Sequence, residues 1–153
     1  MERVTDVAAA VESTVEALVS VLDTARLAQS PAVPPAQLRV LTIIASNRHT
    51  NMSRLADALD VVPSSASRLC DRLEATGLLR RVPDPRDRRE VRLVLTTSAR
   101  RLLDDLRERR QEALTMVLDR MAPAARQGLV DALQAFATAA DGKDEAKGGL
   151  RTA

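Results

Sequence analysis

Apolar positions recur along this chain at helical spacing, except for one stretch past the middle where the period drops to two. Val4, Val7, Val11, Val15, Leu18 and Leu22 step by three or four and predict a helix over about 5–29. Pro31, Pro34 and Pro35 form a stiff connector that ends it. A second helix is expected over 36–46, with Leu38, Leu41, Ile44 and Ala45 on its buried side. Two shorter stripes follow, Leu55, Ala56 and Leu59, then Ala66, Leu69, Cys70 and Leu73. Val91, Leu93 and Leu95 then alternate with Arg92 and Val94, which indicates a strand. Beyond it Leu102, Leu103, Leu106, Ala113, Leu114, Val117, Leu118 and Met121 mark a long helix starting near Thr97, broken at Pro123. Leu129, Val130, Leu133, Phe136 and Ala137 define a last helix over about 124–140. The polar remainder, DGKDEAKGGLRTA, is expected to be disordered.

The middle of the chain, Asn51 to Thr96, carries the chemistry. Asn51 can cap the first short helix. Only Asp60, Val61 and Val62 separate Leu59 from Pro63. A connection that short makes two helices cross steeply, the geometry of a helix-turn-helix. Asp60 falls where the chain needs a left-handed residue, which Asp tolerates better than most. Pro63 suits a first helical position because its missing N–H would be unpaired there anyway, and Gly77 closes the helix. On its outer face Ser64, Arg68 and Arg72 lie four apart, with Ser65, Ser67 and Asp71 beside them. Small hydroxyl residues allow close approach to a DNA major groove, and arginine can fork onto guanine O6 and N7. The same face also fits a solvated amphipathic helix.

The segment from Asp84 to Glu90 then reads as a hairpin tip. Between Arg80 and Arg92 stand six arginines (80, 81, 86, 88, 89, 92) against three acids (84, 87, 90). Arginines on such a tip can enter a narrow minor groove, where the potential is most negative. The competing reading is a solvated turn with weak local ion pairs. Two helices at helix-turn-helix spacing, followed directly by this hairpin, favour the groove.

Composition limits the alternatives. The chain has 153 residues, 45% hydrophobic and 29% charged, with a formal net charge of +2. A nucleic-acid site must therefore be a local patch rather than the whole surface. With one phenylalanine and no tryptophan or tyrosine, single-stranded nucleic acid stacked on protein rings is disfavoured. The lone Cys70 excludes an intramolecular disulfide and sits on an apolar stripe, as a small buried hydrophobe does. His49, the only histidine, lies in a polar turn and has no partner spacing for zinc. No cofactor or metal is expected. There is no glycine-rich phosphate loop and no paired nucleophile, so the chain does not read as an enzyme. Neither a membrane span nor a secretory leader is visible, and a cytoplasmic protein is expected.

The residues Leu55-Ala56-Asp57-Ala58-Leu59, Pro63-Ser64-Ser65-Ala66-Ser67-Arg68-Leu69, Asp71-Arg72-Leu73-Glu74-Ala75-Thr76-Gly77-Leu78-Leu79 and the hairpin DPRDRREVRLVLT resemble the MarR family of winged-helix transcription regulators. The order of elements fits to about Ala140. Three positions depart from the family pattern: Asp60 and Ala99 stand where glycine is usual, and Val62 where a Ser or Thr cap is frequent. The resemblance implies a mainly α fold, with about six helices and a two-stranded wing. The winged helix-turn-helix would span 36–96, a helical dimerisation region 1–30 and 97–140, and a disordered tail 141–153. The implied function is a homodimeric, sequence-specific regulator of double-stranded DNA with an inverted-repeat operator. In this family it is most often a repressor released by a small ligand, such as an aromatic anion. Ser64, Ser65, Ser67, Arg68 and Arg72 are the expected contacts to the major groove and its phosphates. Arg89 is expected in the minor groove, held by Asp87, with Arg86 and Arg88 on phosphate or sharing the wing's role. The alternative is a winged-helix interaction module that dimerises without reading DNA and has no need of the arginine wing.

Overall fold

The computed structural model describes residues 3–29 and 32–148. Its elements run α1 (Val4–Leu27), α2 (Pro35–Ser46), α3 (Met52–Leu59), α4 (Pro63–Ala75), β1 (Leu79–Pro83), β2 (Val91–Leu95), α5 (Thr97–Leu118) and α6 (Pro123–Gly148). The fold is mainly helical with one antiparallel two-stranded sheet. The chain divides into two compact units, Met1–Ala113 and Leu114–Ala153. Among the described residues, no helix is long and apolar enough to cross a membrane.

In the first unit the helix-turn-helix forms by local rules. Asn51 caps α3, its side chain accepting from the Arg54 N–H at 2.9 Å. Asp60 ends α3 in the left-handed region at φ 56°, the only non-glycine residue with positive φ among those described. Its N–H closes onto Asp57 O, and the Val61 N–H onto Ala56 O. Pro63 then opens α4 at its first turn. At the other end Gly77 takes φ 72°, and the Leu78 N–H returns to Leu73 O. That closure turns the chain into β1. Replacing Asn51 with Ala removes the α3 cap, and the expected cost in a denaturant melt is about 0.5–2 kcal/mol.

The strands pair Leu79 with Leu95, Arg81 with Leu93 and Pro83 with Val91. A third piece of backbone joins them: the Leu93 N–H donates to Thr50 O at 2.9 Å, and Asn51 bridges Arg92. The hairpin is thereby tied to the turn before α3. Thr96 ties its far end, donating from Oγ1 to Gly77 O at 2.7 Å and accepting the Ala99 N–H at 3.1 Å as the cap of α5.

The core of this unit gathers Val40, Leu41, Ile44, Leu55, Cys70, Leu73, Leu79, Leu93, Leu95 and Ala99. Two expectations need correction. Ala45 is exposed, and Val40 is fully buried in its stead. α2 packs against α3, α4 and β2, so its buried arc is wider than one stripe and takes in Val40. Val91 is 48% exposed although it shares a strand face with Leu93 and Leu95, because it pairs with Pro83 at the tip end of the hairpin, beyond the core cluster. Ala99 has no exposed surface and packs with the α4 and wing residues.

Apolar side chains on other faces meet solvent in the single chain. Val7, Val11, Val15 and Val19 of α1 are 42–49% exposed. In the second unit Leu129, Val130, Leu133 and Phe136 lie exposed on α6. The helix runs past Ala140 to Gly148, eight residues into the tail expected to be disordered. Residues 149–153, the end of the expected tail, lie outside the described residues. Arg126 closes the turn between the last two helices, donating from Nε to Leu118 O at 2.7 Å and to Met121 O at 3.1 Å.

Candidate nucleic-acid interface

The site rests on α4. Its inner face, Ala66, Cys70 and Leu73, has no exposed surface. Burial pushes the Cys70 thiol up to about 11, which makes it a packing residue rather than a reactive thiolate. The outer face follows by elimination: Ser64, Ser65, Arg68 and Arg72 are exposed, and Ser67 is half-buried. Among the described residues, neither Arg68 nor Arg72 has a side-chain bond or ion pair. Both guanidinium groups are free to bind an outside acceptor.

The wing tip is built from its own backbone. Asp84 accepts the Arg86 N–H at 2.8 Å, and Asp87 accepts the Arg89 N–H at 2.9 Å. The Asp84 N–H donates to Glu90 O, and the Glu90 N–H to Asp87 O. The bond from the Arg86 N–H is the main reason the Asp84 carboxyl sits below the usual carboxylate range. The acids therefore spend themselves on turn N–H groups rather than on the neighbouring guanidinium groups. Arg86, Arg88 and Arg89 are exposed and carry no ion pair among the described residues. In this structure Asp87 holds Arg89 through its main chain, not its side chain.

The six arginines counted in the hairpin divide into two groups. Arg80, Arg86, Arg88 and Arg89 face solvent. Arg81 and Arg92 are half-buried and already engaged. Arg81 Nη1 reaches Glu74 Oε2 at 2.6 Å, and Nη2 reaches Asp71 Oδ1 at 2.8 Å. The bond to Asp71 leads in raising the Arg81 guanidinium above its ordinary value. Arg92 Nη1 lies 3.5 Å from His49 Nδ1, and Arg54 donates to His49 O at 3.1 Å. Neither Arg54 nor the Arg81 linkage was anticipated. Period two starting from the apolar Leu79 does place Arg81 on the inner face of β1, where an arginine must find acids.

Beside this interface the first unit holds an open cleft of about 820 Å³. It lies between the end of α2, strand β2 and α5, and Arg48, Arg92, Arg100 and Arg107 line it with one acid, Asp104. No group of side chains suited to a metal ion occurs among the described residues.

A short helix, a left-handed turn, a helix with a small and basic outer face, and an arginine-tipped hairpin make this a winged helix-turn-helix protein. The MarR family model matches residues 33–90. The crystal structure of RV1404 from Mycobacterium tuberculosis is 32% identical, with a TM-score of 0.82 over 92% of this chain and 96% of that one. The chain belongs to the MarR family, whose members are transcription regulators and not enzymes. The transcriptional regulator Tm0710 from Thermotoga maritima is 25% identical, with a TM-score of 0.69 over 88% of this chain and 95% of that one. The HTH-type transcriptional repressor MdtR of Bacillus subtilis is 35% identical over 68 residues, 44% of each chain. The match thus spans less than half the length of that curated relative.

Proposed function

We propose that the protein is a homodimeric, sequence-specific double-stranded DNA-binding repressor acting in the cytoplasm and released by a small anionic ligand. The reading rests on one observation above all. The arginines of the outer α4 face and of the wing tip are exposed and, among the described residues, unpaired, while their acidic neighbours Asp71, Asp84 and Asp87 are committed elsewhere. In this reading Ser64, Ser65, Ser67, Arg68 and Arg72 address the major groove and its phosphates. Arg89 enters the minor groove from the turn that Asp87 shapes, and Arg86 and Arg88 bind phosphate. The winged domain is residues 36–96, and residues 1–30 with 97–140 form the dimerisation region. Two α4 helices related by a two-fold axis then read inverted half-sites about one turn, roughly 34–36 Å, apart.

The exposed valines of α1 and the apolar face of α6 support dimerisation, since contiguous apolar surface calls for a partner. The repressor sense is supported by the likeness to MdtR, a transcriptional repressor. The arginine-lined cleft suits a carboxylate ligand beside an apolar body. Such a ligand acts only by binding two spacings of the recognition helices unequally.

The test is a mobility shift with the DNA upstream of the protein's own gene. Arg89→Ala is expected to weaken binding by about 1–3 kcal/mol. An unchanged affinity and salt dependence would remove the wing from the mechanism. No shift by the wild-type chain on its own upstream DNA or on selected duplexes would favour a dimeric interaction module instead.

A further inference from the structure

Arg81 makes more side-chain bonds than any other arginine of the hairpin among the described residues. Its side chain is 27% exposed. Besides the ion pairs to Asp71 and Glu74, its own backbone N–H donates to Glu74 Oε1 at 3.3 Å, so both oxygens of Glu74 are used. Its Nη2 also lies 3.4 Å from Ser67 Oγ. Ser67, Asp71 and Glu74 are spaced four and three apart on one face of α4. One strand residue thus fastens successive turns of that helix to the wing.

Building on the DNA-binding reading above, we propose that Arg81 is a positioning residue for base recognition. It fixes α4 and the wing as one body and sets the Ser67 hydroxyl as a hydrogen-bond donor toward DNA. Arginine carries only donors. Facing the guanidinium, the Ser67 oxygen turns a lone pair inward and its hydrogen outward. At 3.4 Å the contact is long, so its effect is to orient the hydroxyl, not to hold it. An outward hydroxyl hydrogen matches acceptors in the major groove, such as guanine N7 and O6, adenine N7 or thymine O4, and leaves a single lone pair to meet the amino groups of cytosine and adenine. Arg81 itself, balanced by two carboxylates, has no charge left over for phosphate. Its loss is therefore predicted to alter which base is preferred while leaving the salt dependence alone.

Arg81→Lys keeps the charge, but a single ammonium cannot span three acceptors as the fork does. The experiment selects bound sites from random duplex DNA with the wild-type chain, Arg81→Lys, Ser67→Ala and the double variant, and measures affinity against salt. Arg81→Lys and Ser67→Ala are expected to lose preference at the same base pair of each half-site. Each is expected to bind the preferred site roughly tenfold more weakly, with an unaltered salt slope, and the double variant should be no worse than either single one. Thermal melting checks folding. If Arg81→Lys does not fold, Glu74→Gln, which keeps an acceptor oxygen, is expected to lose preference partially at that same pair. Preserved preference in Arg81→Lys, or in Glu74→Gln where that variant stands in, would overturn the inference. So would a shallower salt slope in the variant tested, or a Ser67→Ala selection identical to wild type. If the wild-type chain selects no duplex at all, the DNA-binding reading itself falls, and this inference with it.

Discussion

Leu133→Asp is expected to yield a folded monomer that no longer holds its operator. Leu133 lies 44% exposed on α6, on a face shared with Leu129, Val130 and Phe136. If that face met only water, an aspartate there would alter stability by no more than about 0.5 kcal/mol. Against a second copy, the carboxylate would be driven into the apolar face of Leu129, Val130 and Phe136, and association would fail. DNA binding should fail with it. A dimer on an inverted repeat gains its second half-site as an intramolecular event, and losing that linkage removes about 10²–10⁴ in affinity. Sedimentation and operator titration check the two effects separately. A Leu133→Asp protein that stays dimeric would move the interface away from this part of α6.

The second large effect is expected at Leu73, which has no exposed surface on the inner face of α4. Leu73→Ala leaves a cavity at the centre of the cluster that joins α2, α3, α4 and the wing. The expected loss is about 2–5 kcal/mol, a large share of the roughly 5–15 kcal/mol that holds a typical domain together. The same site carries a functional cost, because α4 presents its outer residues only while its inner stripe is seated. Denaturant titration measures the stability. A loss below about 1 kcal/mol would mean that neighbours collapse into the gap, as they do at poorly packed positions.

The sequence was most informative where one residue decides a local conformation. Asn51 caps, Asp60 turns left-handed, Pro63 starts and Gly77 ends, each for a reason contained in its own side chain. The hairpin and its tip were visible because Val91, Leu93 and Leu95 keep period two directly after seven residues of turn chemistry between Pro83 and Val91. Legibility failed where a residue's role depends on what lies across from it. Arg81 and Arg92 look like Arg86 and Arg89 in a charge count, yet the first two face inward and the others do not. Asp87 beside Arg89 suggests a side-chain pair, but in a tight turn the nearer N–H takes the carboxylate first. Val40 lies off the stripe traced by Leu38, Leu41 and Ile44, and is buried because three elements crowd α2 at once.

Thr96 joins the end of the recognition helix to the start of the long helix through two bonds from a single hydroxyl. With Ala99 packed flush against α4 and the wing, there is no slack at that joint. Arg100, Leu103 and Arg107 of the arginine-lined cleft stand one to three turns further along the same helix. Were a ligand to enter that cleft, as proposed above, a load near the root of the long helix would reach α4 through the Thr96 hydroxyl and Ala99.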